Sequence, residues 1–379
     1  MSGSDPGALR RCWAEIDLQA LHHNAEVAKE LAGNDSALMA VVKADGYGHG
    51  IREVARALSS HCQFLGVANL VEAEVVADFV DNPTKVFLLG AALPSEREEI
   101  VARGFSICLS NREEAAAFDE IAKEHQKSVE FHLAIDTGMG RIGFPEEEVE
   151  GLVRHLDRYP RLRCTGIYSH LPSADEDEAF TASQIGKFAG LVNALARSGC
   201  TPEWRHLGNS AGLIGYETLR QHTNLVRPGL MLFGVSPRPD WVDSLQPLLT
   251  WKTRITLVRD LPPGRGISYG RTFRTKRTPF TRVTTLAAGY GDGYPRHLSG
   301  NGAEVLIGGK RCPLLGRVTM DQIMVDATDV GEVSVGDEVV LLGKQESAEL
   351  TARELADKAG TIPWEIFTGI TRRVERVYC

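Results

Sequence analysis

The sequence has no apolar run long enough to cross a bilayer and no excess of basic residues. Its 42 lysines and arginines are outnumbered by 50 aspartates and glutamates, giving a net charge of -8 with both signs interspersed. This balance argues against a nucleic-acid-binding surface and against a polybasic membrane patch. We therefore expect small molecules as binding partners, with neither nucleic acid nor membrane among them.

Cysteines are also scarce, with seven between Cys12 and Cys379 and no Cys-x-x-Cys pair. An odd number without regular spacing fits reduced thiols and predicts neither a disulfide framework nor a metal site. The first seven residues are polar and lack the charged and apolar regions of a secretory signal. These features together lead us to expect a cytoplasmic protein.

The length of 379 residues favours two domains. From about Ser36 to Phe233, short apolar runs alternate with amphipathic stretches, which is typical of repeated strand-helix units. We predict an α/β fold in which an N-terminal (β/α)8 TIM-type barrel spans residues 12–240 and a mainly β domain spans residues 241–379. The opening strand, residues 12–16, is expected to return to the second domain. A doubly wound open sheet is the alternative for the first.

Polar residues follow directly after several of the apolar runs. They are Lys43, Asp136, His170, Asn209 and Arg227. In a barrel these positions converge on the carboxyl-end rim, where barrel enzymes build their active sites, whereas an open sheet would spread them along a line. The pattern therefore favours the barrel and predicts a site at its rim.

The strongest chemical signal is the segment from Ala40 to Gly50, where an apolar strand ends at Lys43 and a glycine-rich turn follows. An amine at the end of a buried strand is partly desolvated and held still, so it can form an imine. The octapeptide from Lys43 to Gly50 resembles the pyridoxal 5'-phosphate (PLP) lysine motif of the alanine racemase family. The resemblance implies PLP as the cofactor, with Lys43 carrying it and serving as a base on one face of the substrate.

Further segments are similar to the same family and occur in the same order along the chain. They are residues 136–143, 226–230, 266–273, 289–296 and 316–322. The resemblance implies that Tyr269 is the second base, acting on the opposite face from the partner subunit. The active enzyme is then expected to be a head-to-tail homodimer with shared active sites, acting on a small amino acid.

The resemblance also assigns binding residues by their positions. Arg141 and Met320 are expected to contact the substrate. The cofactor is expected to lie against Lys43, Tyr47, His170, Asn209, Ser210, Arg227, Gly229 and Leu230. An arginine against the pyridine nitrogen, as implied for Arg227, disfavours protonation of the ring and so favours racemisation over transamination and decarboxylation. The implied function is interconversion of L- and D-alanine, which supplies D-alanine for peptidoglycan.

Three positions depart from the family pattern. Ala134 stands where many members carry a lysine that becomes carbamylated and supports the arginine equivalent to Arg141. In this chain a carboxylate, an anion such as chloride, or water must support Arg141 instead. Phe233 stands where a tyrosine is common, and Arg372 stands where some members carry a tyrosine. A racemase of broader specificity, acting on serine or basic amino acids, thus remains an alternative. A PLP-binding carrier and a PLP decarboxylase are further alternatives.

Overall fold

The computed structural model describes residues 10–80, 84–238 and 244–379. The chain forms two compact units, one made of the segment up to Leu18 with Tyr47–His49 and Pro247–Cys379, the other of Gln19–Gly46 and Gly50–Gln246. The predicted domain boundary between residues 240 and 241 lies outside the described residues. Strand β1 (Cys12–Ile16) belongs to the first of these units.

The larger unit is built on a parallel sheet. In the described part of the chain, this sheet has eight main strands: β2 (Ala37–Val41), β3 (Phe64–Val67), β4 (Lys85–Leu88), β5 (Ser106–Leu109), β6 (Val129–Asp136), β8 (Leu162–Tyr168), β9 (Trp204–His206) and β10 (Leu225–Val226). From β2 to β9, each strand pairs with the next one in this list. A two-residue strand, β7 (Phe144–Pro145), lies beside the end of β6. Strand β10 pairs with β2, so the last strand returns to the first.

Backbone hydrogen bonds close the remaining gap between β9 and β10. The N–H of Asn224 donates to the carbonyl of Arg205 at 3.0 Å, and the N–H of Arg227 donates to the carbonyl of Gly208 at 2.9 Å. The sheet is therefore a nearly closed barrel, which confirms the predicted fold and excludes the open sheet.

Helices follow the strands around the barrel. They are α1 (Leu18–Ala32), α2 (Lys43–Tyr47), α3 (Ile51–Leu58), α4 (Leu70–Ala77), α5 (Arg97–Arg103), α6 (Arg112–Glu124), α7 (Val149–Leu156), α8 (Glu178–Arg197) and α9 (Ser210–Gly215). Asn69, Asn111, Asp177 and Asn209 begin α4, α6, α8 and α9, and each side chain accepts a backbone N–H of the first turn. Such caps satisfy donors that have no partner inside the helix, and they fix where each helix begins.

The barrel interior is filled by side chains from nearly every strand. One buried cluster comprises Met39, Phe64, Phe87, Cys108, Ala134, Tyr168 and Leu225. Burying a large apolar side chain contributes about 1.5–3 kcal/mol, so this layer holds the strands at fixed positions. The rim above it is consequently a rigid support for functional groups.

The smaller unit is mainly β. Its strands after β1 are β11 (Leu249–Leu261), β12 (Gly266–Ile267), β13 (Phe273–Arg274), β14 (Thr281–Leu286), β15 (Glu304–Ile307), β16 (Lys310–Pro313), β17 (Ile323–Asp326), β18 (Glu338–Gln345), β19 (Ala348–Leu350) and β20 (Glu375–Tyr378). The main sheet runs in the order β16-β15-β18-β11-β1-β20. β1 lies between β11 and β20, antiparallel to the first and parallel to the second. The helices are α10 (Ala352–Ala359) and α11 (Pro363–Gly369).

Residue types that favour turns and helix ends lie at a turn and at both ends of a helix in the smaller unit. Gly308 and Gly309 have φ of 53° and 68° and join β15 to β16 in a hairpin, because such angles suit glycine. Thr351 caps α10 and Gly360 ends it in the left-handed conformation. Over the described residues of both units, no helix is long and apolar enough to span a membrane.

Candidate active site

Lys43 stands two residues beyond β2, and the chain turns sharply after it. Ala44, Asp45 and Gly46 all have left-handed backbone angles, with φ of 55°, 54° and 62°. Residues other than glycine pay about 1–2 kcal/mol for this conformation, so Ala44 and Asp45 store backbone strain directly beside the lysine. The sequence predicted a glycine-rich turn, but not that two non-glycine residues would adopt its left-handed form.

The proton affinity of Lys43 is reduced by its surroundings. Burial lowers the pKa of the ammonium group from its ordinary value, and the positive charges of Arg141 and Arg227 lower this pKa further. The carboxylate of Glu72 opposes them. A larger fraction of Lys43 is therefore neutral at a given pH than for a lysine in water, and the neutral amine is the form that can act as a nucleophile or accept a proton.

Arg227 is a buried cation at the end of β10. Its Nη1 donates to Nδ1 of His206 at 2.8 Å, and its Nη2 donates to the carbonyl of Ser169 at 2.7 Å. Nδ1 of His170 lies 3.4 Å from Nη2. Burial lowers the pKa of Arg227 to about 10, which still leaves it charged at neutral pH. Among the described residues Arg227 has no ion pair with a carboxylate, and so its charge stays available to a ligand.

The hydrogen bonds of Arg227 fix the protons on the histidines behind it. Because Nδ1 of His206 accepts from Arg227, its Nε2 carries the hydrogen and donates to Nδ1 of His132 at 2.7 Å. Burial lowers the pKa of His132 to about 3 and that of His206 well below its ordinary value. Both rings are therefore neutral at physiological pH. They hold the guanidinium without neutralising it.

His170 ends the β8 segment at the same rim. Burial, then the charges of Arg227, Arg141 and Lys43, lower the pKa of His170 to about 3. It is a neutral ring surrounded by three cations. The structure thus brings Lys43, Arg141, His170 and Arg227 together, and the excess positive charge suits an anionic ligand.

The loop that carries Arg141 is shaped by Asp136. The Asp136 carboxylate accepts the backbone N–H groups of Gly138, Met139 and Gly140, each at 2.8 Å. Arg141 itself is exposed and has no carboxylate partner within the described residues. Ala134 is 2% exposed and belongs to the interior apolar cluster. Asp136 therefore holds the loop rather than the guanidinium, and no carboxylate of the described chain replaces the missing lysine.

Ser210 joins the two segments expected to hold a phosphate. Its Oγ accepts the N–H of Gly229 at 3.0 Å and that of Met231 at 3.3 Å. With both lone pairs engaged, the hydroxyl hydrogen of Ser210 can be donated to an anion. Leu230 begins a single 3₁₀ turn beside it. Asn209 caps α9 through its oxygen and donates from Nδ2 to the carbonyl of Leu171, so its side chain has a structural role here.

The remaining predicted site residues belong to the smaller unit. Tyr47 is half-buried, and this burial raises the pKa of its phenol to about 12. Tyr269 is 70% exposed and follows Ser268, whose φ is 62°. Met320 is 53% exposed. The Oγ of Ser268 donates to the carbonyl of Arg317 at 2.6 Å, which links the Tyr269 segment to the Met320 segment.

Two residues of the site escaped the sequence interpretation: His132 as the partner of His206, and Glu72 beside Lys43. His132 occupies an inward position within the apolar run of β6, and a buried polar residue in such a run is the signal that could have found it. Phe233 is fully buried and Arg372 is exposed.

The barrel rim carries a lysine and two arginines that have no carboxylate partner among the described residues, and the sheet unit carries an exposed tyrosine. This excess of positive charge suits an anionic small molecule. Comparison with known proteins agrees. The sequence profile "Alanine racemase, N-terminal domain" matches residues 16–237, and "Alanine racemase, C-terminal domain" matches residues 248–378. The chain belongs to the alanine racemase family.

Relatives match along nearly the whole chain. The alanine racemase of Symbiobacterium thermophilum is 42% identical over 378 residues, covering 99% of this chain and 98% of its own. That of Halothermothrix orenii is 40% identical over 373 residues, covering 97% of each. The solved alanine racemase structure from Streptomyces coelicolor has a TM-score of 0.90 at 34% identity, and the match covers 99% of both chains.

Proposed function

We propose that this protein is a PLP-dependent alanine racemase that interconverts L- and D-alanine with two bases. The observation that carries the proposal is the group of Lys43, Arg141 and Arg227 at one barrel rim, where neither arginine has a carboxylate partner among the described residues. The family, and the names of the relatives above, support the same activity.

The residues at the rim fit the cofactor. PLP carries a phosphate and a phenolic oxygen, and the positive charge of Arg141 together with the donated hydroxyl of Ser210 would complement these negative groups. Lys43, partly buried just beyond β2, is the amine that would hold the cofactor through its aldehyde group. When bound, PLP supplies an electron sink that makes the α-proton of an amino acid removable.

The residues of the chain then divide the work of racemisation. Lys43, with its lowered pKa, removes or returns the α-proton on one face. We assign the other face to Tyr269 from a second copy of the chain, and with it a homodimer with shared sites. Arg141 binds the substrate carboxylate, and Met320 contacts the substrate. The hydroxyl of Ser210 and the backbone of Gly229 and Leu230 hold the phosphate side.

Arg227 favours racemisation among the reactions that PLP supports. Its guanidinium is held by neutral His206 and by backbone carbonyls, so it presents a fixed positive charge. A cation beside the pyridine nitrogen disfavours ring protonation, which decarboxylation and transamination exploit. A decarboxylase would be expected to place an acidic residue there instead.

A racemase of broader specificity is the second candidate, and one observation favours it. Without the lysine at Ala134, Arg141 has no carboxylate brace within the described chain, so its guanidinium is freer to adjust to larger substrates. We further propose that the enzyme acts in the cytoplasm and supplies D-alanine for peptidoglycan.

The test is chiral analysis of a panel of L- and D-amino acids incubated with the PLP-loaded protein. Inversion confined to alanine is the expected result. Inversion of serine, lysine or arginine at comparable rates would instead establish the broader racemase. Bound PLP with no inversion of any amino acid would support the carrier and overturn the proposal.

A further inference from the structure

Glu72 lies in the first turn of α4, and no role has yet been assigned to its carboxylate. The side chain of Asn69 accepts the N–H of Glu72 at 3.1 Å, and Oε2 of Glu72 accepts the N–H of Ala68 at 2.9 Å. Asn69 thus caps α4, and Glu72 holds the residue before the cap, which needs only one of the carboxylate oxygens.

The second oxygen of Glu72 reaches the turn after Lys43. Oε1 accepts the N–H of Ala44 at 2.7 Å and that of Asp45 at 3.3 Å. Both residues have left-handed backbone angles, as does Tyr47 further along the same turn. Hydrogen bonds from two successive N–H groups to one carboxylate are strong because the acceptor is charged. They therefore favour the left-handed backbone conformation, in which both N–H groups point toward the carboxylate.

A second glutamate in the same barrel contacts the start of its helix without bonding to the turn after Lys43, and so provides a comparison for Glu72. Glu114 on α6 accepts the N–H and the hydroxyl of Ser110 through Oε2, each at 3.2 Å, and its N–H donates to Asn111 at 2.8 Å. The sequences around the two are alike, Asn-x-x-Glu after a buried strand in each case. Glu72 differs from Glu114 by its bonds to a strained turn beside a lysine.

We propose that Glu72 is a positioning residue for Lys43: it holds the left-handed turn from Ala44 to Gly46 and thereby fixes the direction in which Lys43 leaves β2. This inference rests on the proposed role of Lys43 and names a residue that the role requires. Removing the bonds of Glu72 lets Ala44 and Asp45 relax toward ordinary backbone angles, which displaces the reacting amine.

Glu72 also acts on Lys43 by charge. Its carboxylate raises the pKa of Lys43 against the larger lowering by burial and by Arg141. Loss of this charge must therefore lower the pKa of Lys43 further. A glutamate that served only as a helix cap would have no such effect.

The test compares Glu72→Gln, Glu72→Asp and the control Glu114→Gln. Glutamine keeps the length of the side chain but removes the charge, whereas aspartate keeps the charge but shortens the reach. The pKa of Lys43 is measured without PLP, from the pH dependence of its acetylation by trace acetic anhydride, read by mass spectrometry. kcat and KM for alanine are measured on the PLP-loaded protein, and thermal unfolding reports the loss of each cap.

We expect Glu72→Gln to lower the pKa of Lys43 and to reduce kcat about 10- to 100-fold, since small displacements of a reacting group have effects of that size. Glu72→Asp should also reduce kcat while leaving the Lys43 pKa nearer that of the wild type. Glu114→Gln should lower thermal stability alone. Equal effects of Glu72→Gln and Glu114→Gln on kcat and on the Lys43 pKa would overturn the inference.

Failure of the proposed function gives a different result. If borohydride reduction of the wild-type protein with PLP leaves Lys43 unlabelled, Lys43 does not carry the cofactor and the proposed function fails. The acetylation measurement would still report whether Glu72 controls the proton affinity of Lys43.

Discussion

The protonation of one residue, Lys43, decides whether the rim can act as a base. Burial and the two guanidinium groups lower its pKa, and a lower pKa means a larger neutral fraction at a given pH. Among the neighbouring charges, that of Arg141 has the largest effect on the pKa of Lys43, second only to the effect of burial. The same arginine that we assign to the substrate carboxylate therefore also prepares the base.

Replacing Arg141 with Gln should raise the pKa of Lys43 toward its ordinary value, because a nearby positive charge is lost. The KM for alanine should rise roughly 10- to 100-fold with loss of a charge-assisted bond to the carboxylate. The pH dependence of acetylation and steady-state kinetics measure the two effects. Arg163, an exposed arginine near the start of β8, provides the control Arg163→Gln. An unchanged Lys43 pKa in the Arg141 variant would contradict this account.

At the scale of elements, the segment that follows β14 and the segment that precedes β17 are joined by backbone hydrogen bonds. The N–H of Tyr290 donates to the carbonyl of Thr319 at 3.0 Å, and that of Gly291 donates to the carbonyl of Met320 at 2.8 Å. A Cβ on Gly289 would lie 2.3 Å from the carbonyl oxygen of Thr319. The glycine is required for this approach, which places the Met320 loop.

Gly289→Ala should therefore destabilise the protein by about 1–3 kcal/mol, as overpacking does. Gly190→Ala is the matched control, because Gly190 lies inside α8 and a Cβ there would meet nothing within 4 Å. Alanine in a helix interior should stabilise it by about 0.5–1 kcal/mol. Urea unfolding of both variants measures whether each substitution lowers or raises the free energy of unfolding. A shift of the same sign in both would show that the close approach at Gly289 does not matter.

Much of the fold followed from the sequence because strand and helix periods are local. The apolar strand predicted to end at Lys43 corresponds to β2, which ends at Val41, and Thr351, a residue type that favours helix starts, caps α10. The left-handed turn at Ala44 was beyond local reasoning, since its N–H group bonds to Glu72 of another strand-helix unit. The contact of His132 with His206 depends likewise on the register of the closed barrel.

At the scale of the whole molecule, the sequence placed Tyr269 and Met320 at the substrate, yet within one chain both are largely exposed. This exposure is what a shared site requires, because groups that act in a partner must face outward from their own chain. The assignment of these residues to a second subunit remains a proposal that mixing experiments can test.

Mixing Lys43→Ala and Tyr269→Phe proteins should restore activity to two inactive preparations. With random exchange of subunits, half of the dimers are mixed, and each holds one intact site and one doubly altered site. About a quarter of the wild-type activity is therefore expected after exchange. Activity that stays at the level of the separate variants, although exchange is shown by mass spectrometry, would exclude sites shared between subunits.

The claim at the centre of this account is that two residues exchange the α-proton, one on each face of the substrate. We would test it by following α-deuterium incorporation into L-alanine and D-alanine separately, in heavy water, with wild-type protein and with Tyr269→Phe. The account predicts that the variant still exchanges the proton of one enantiomer through Lys43 but loses exchange of the other and all inversion. Unchanged exchange of both enantiomers in the variant would show that Tyr269 is not a base.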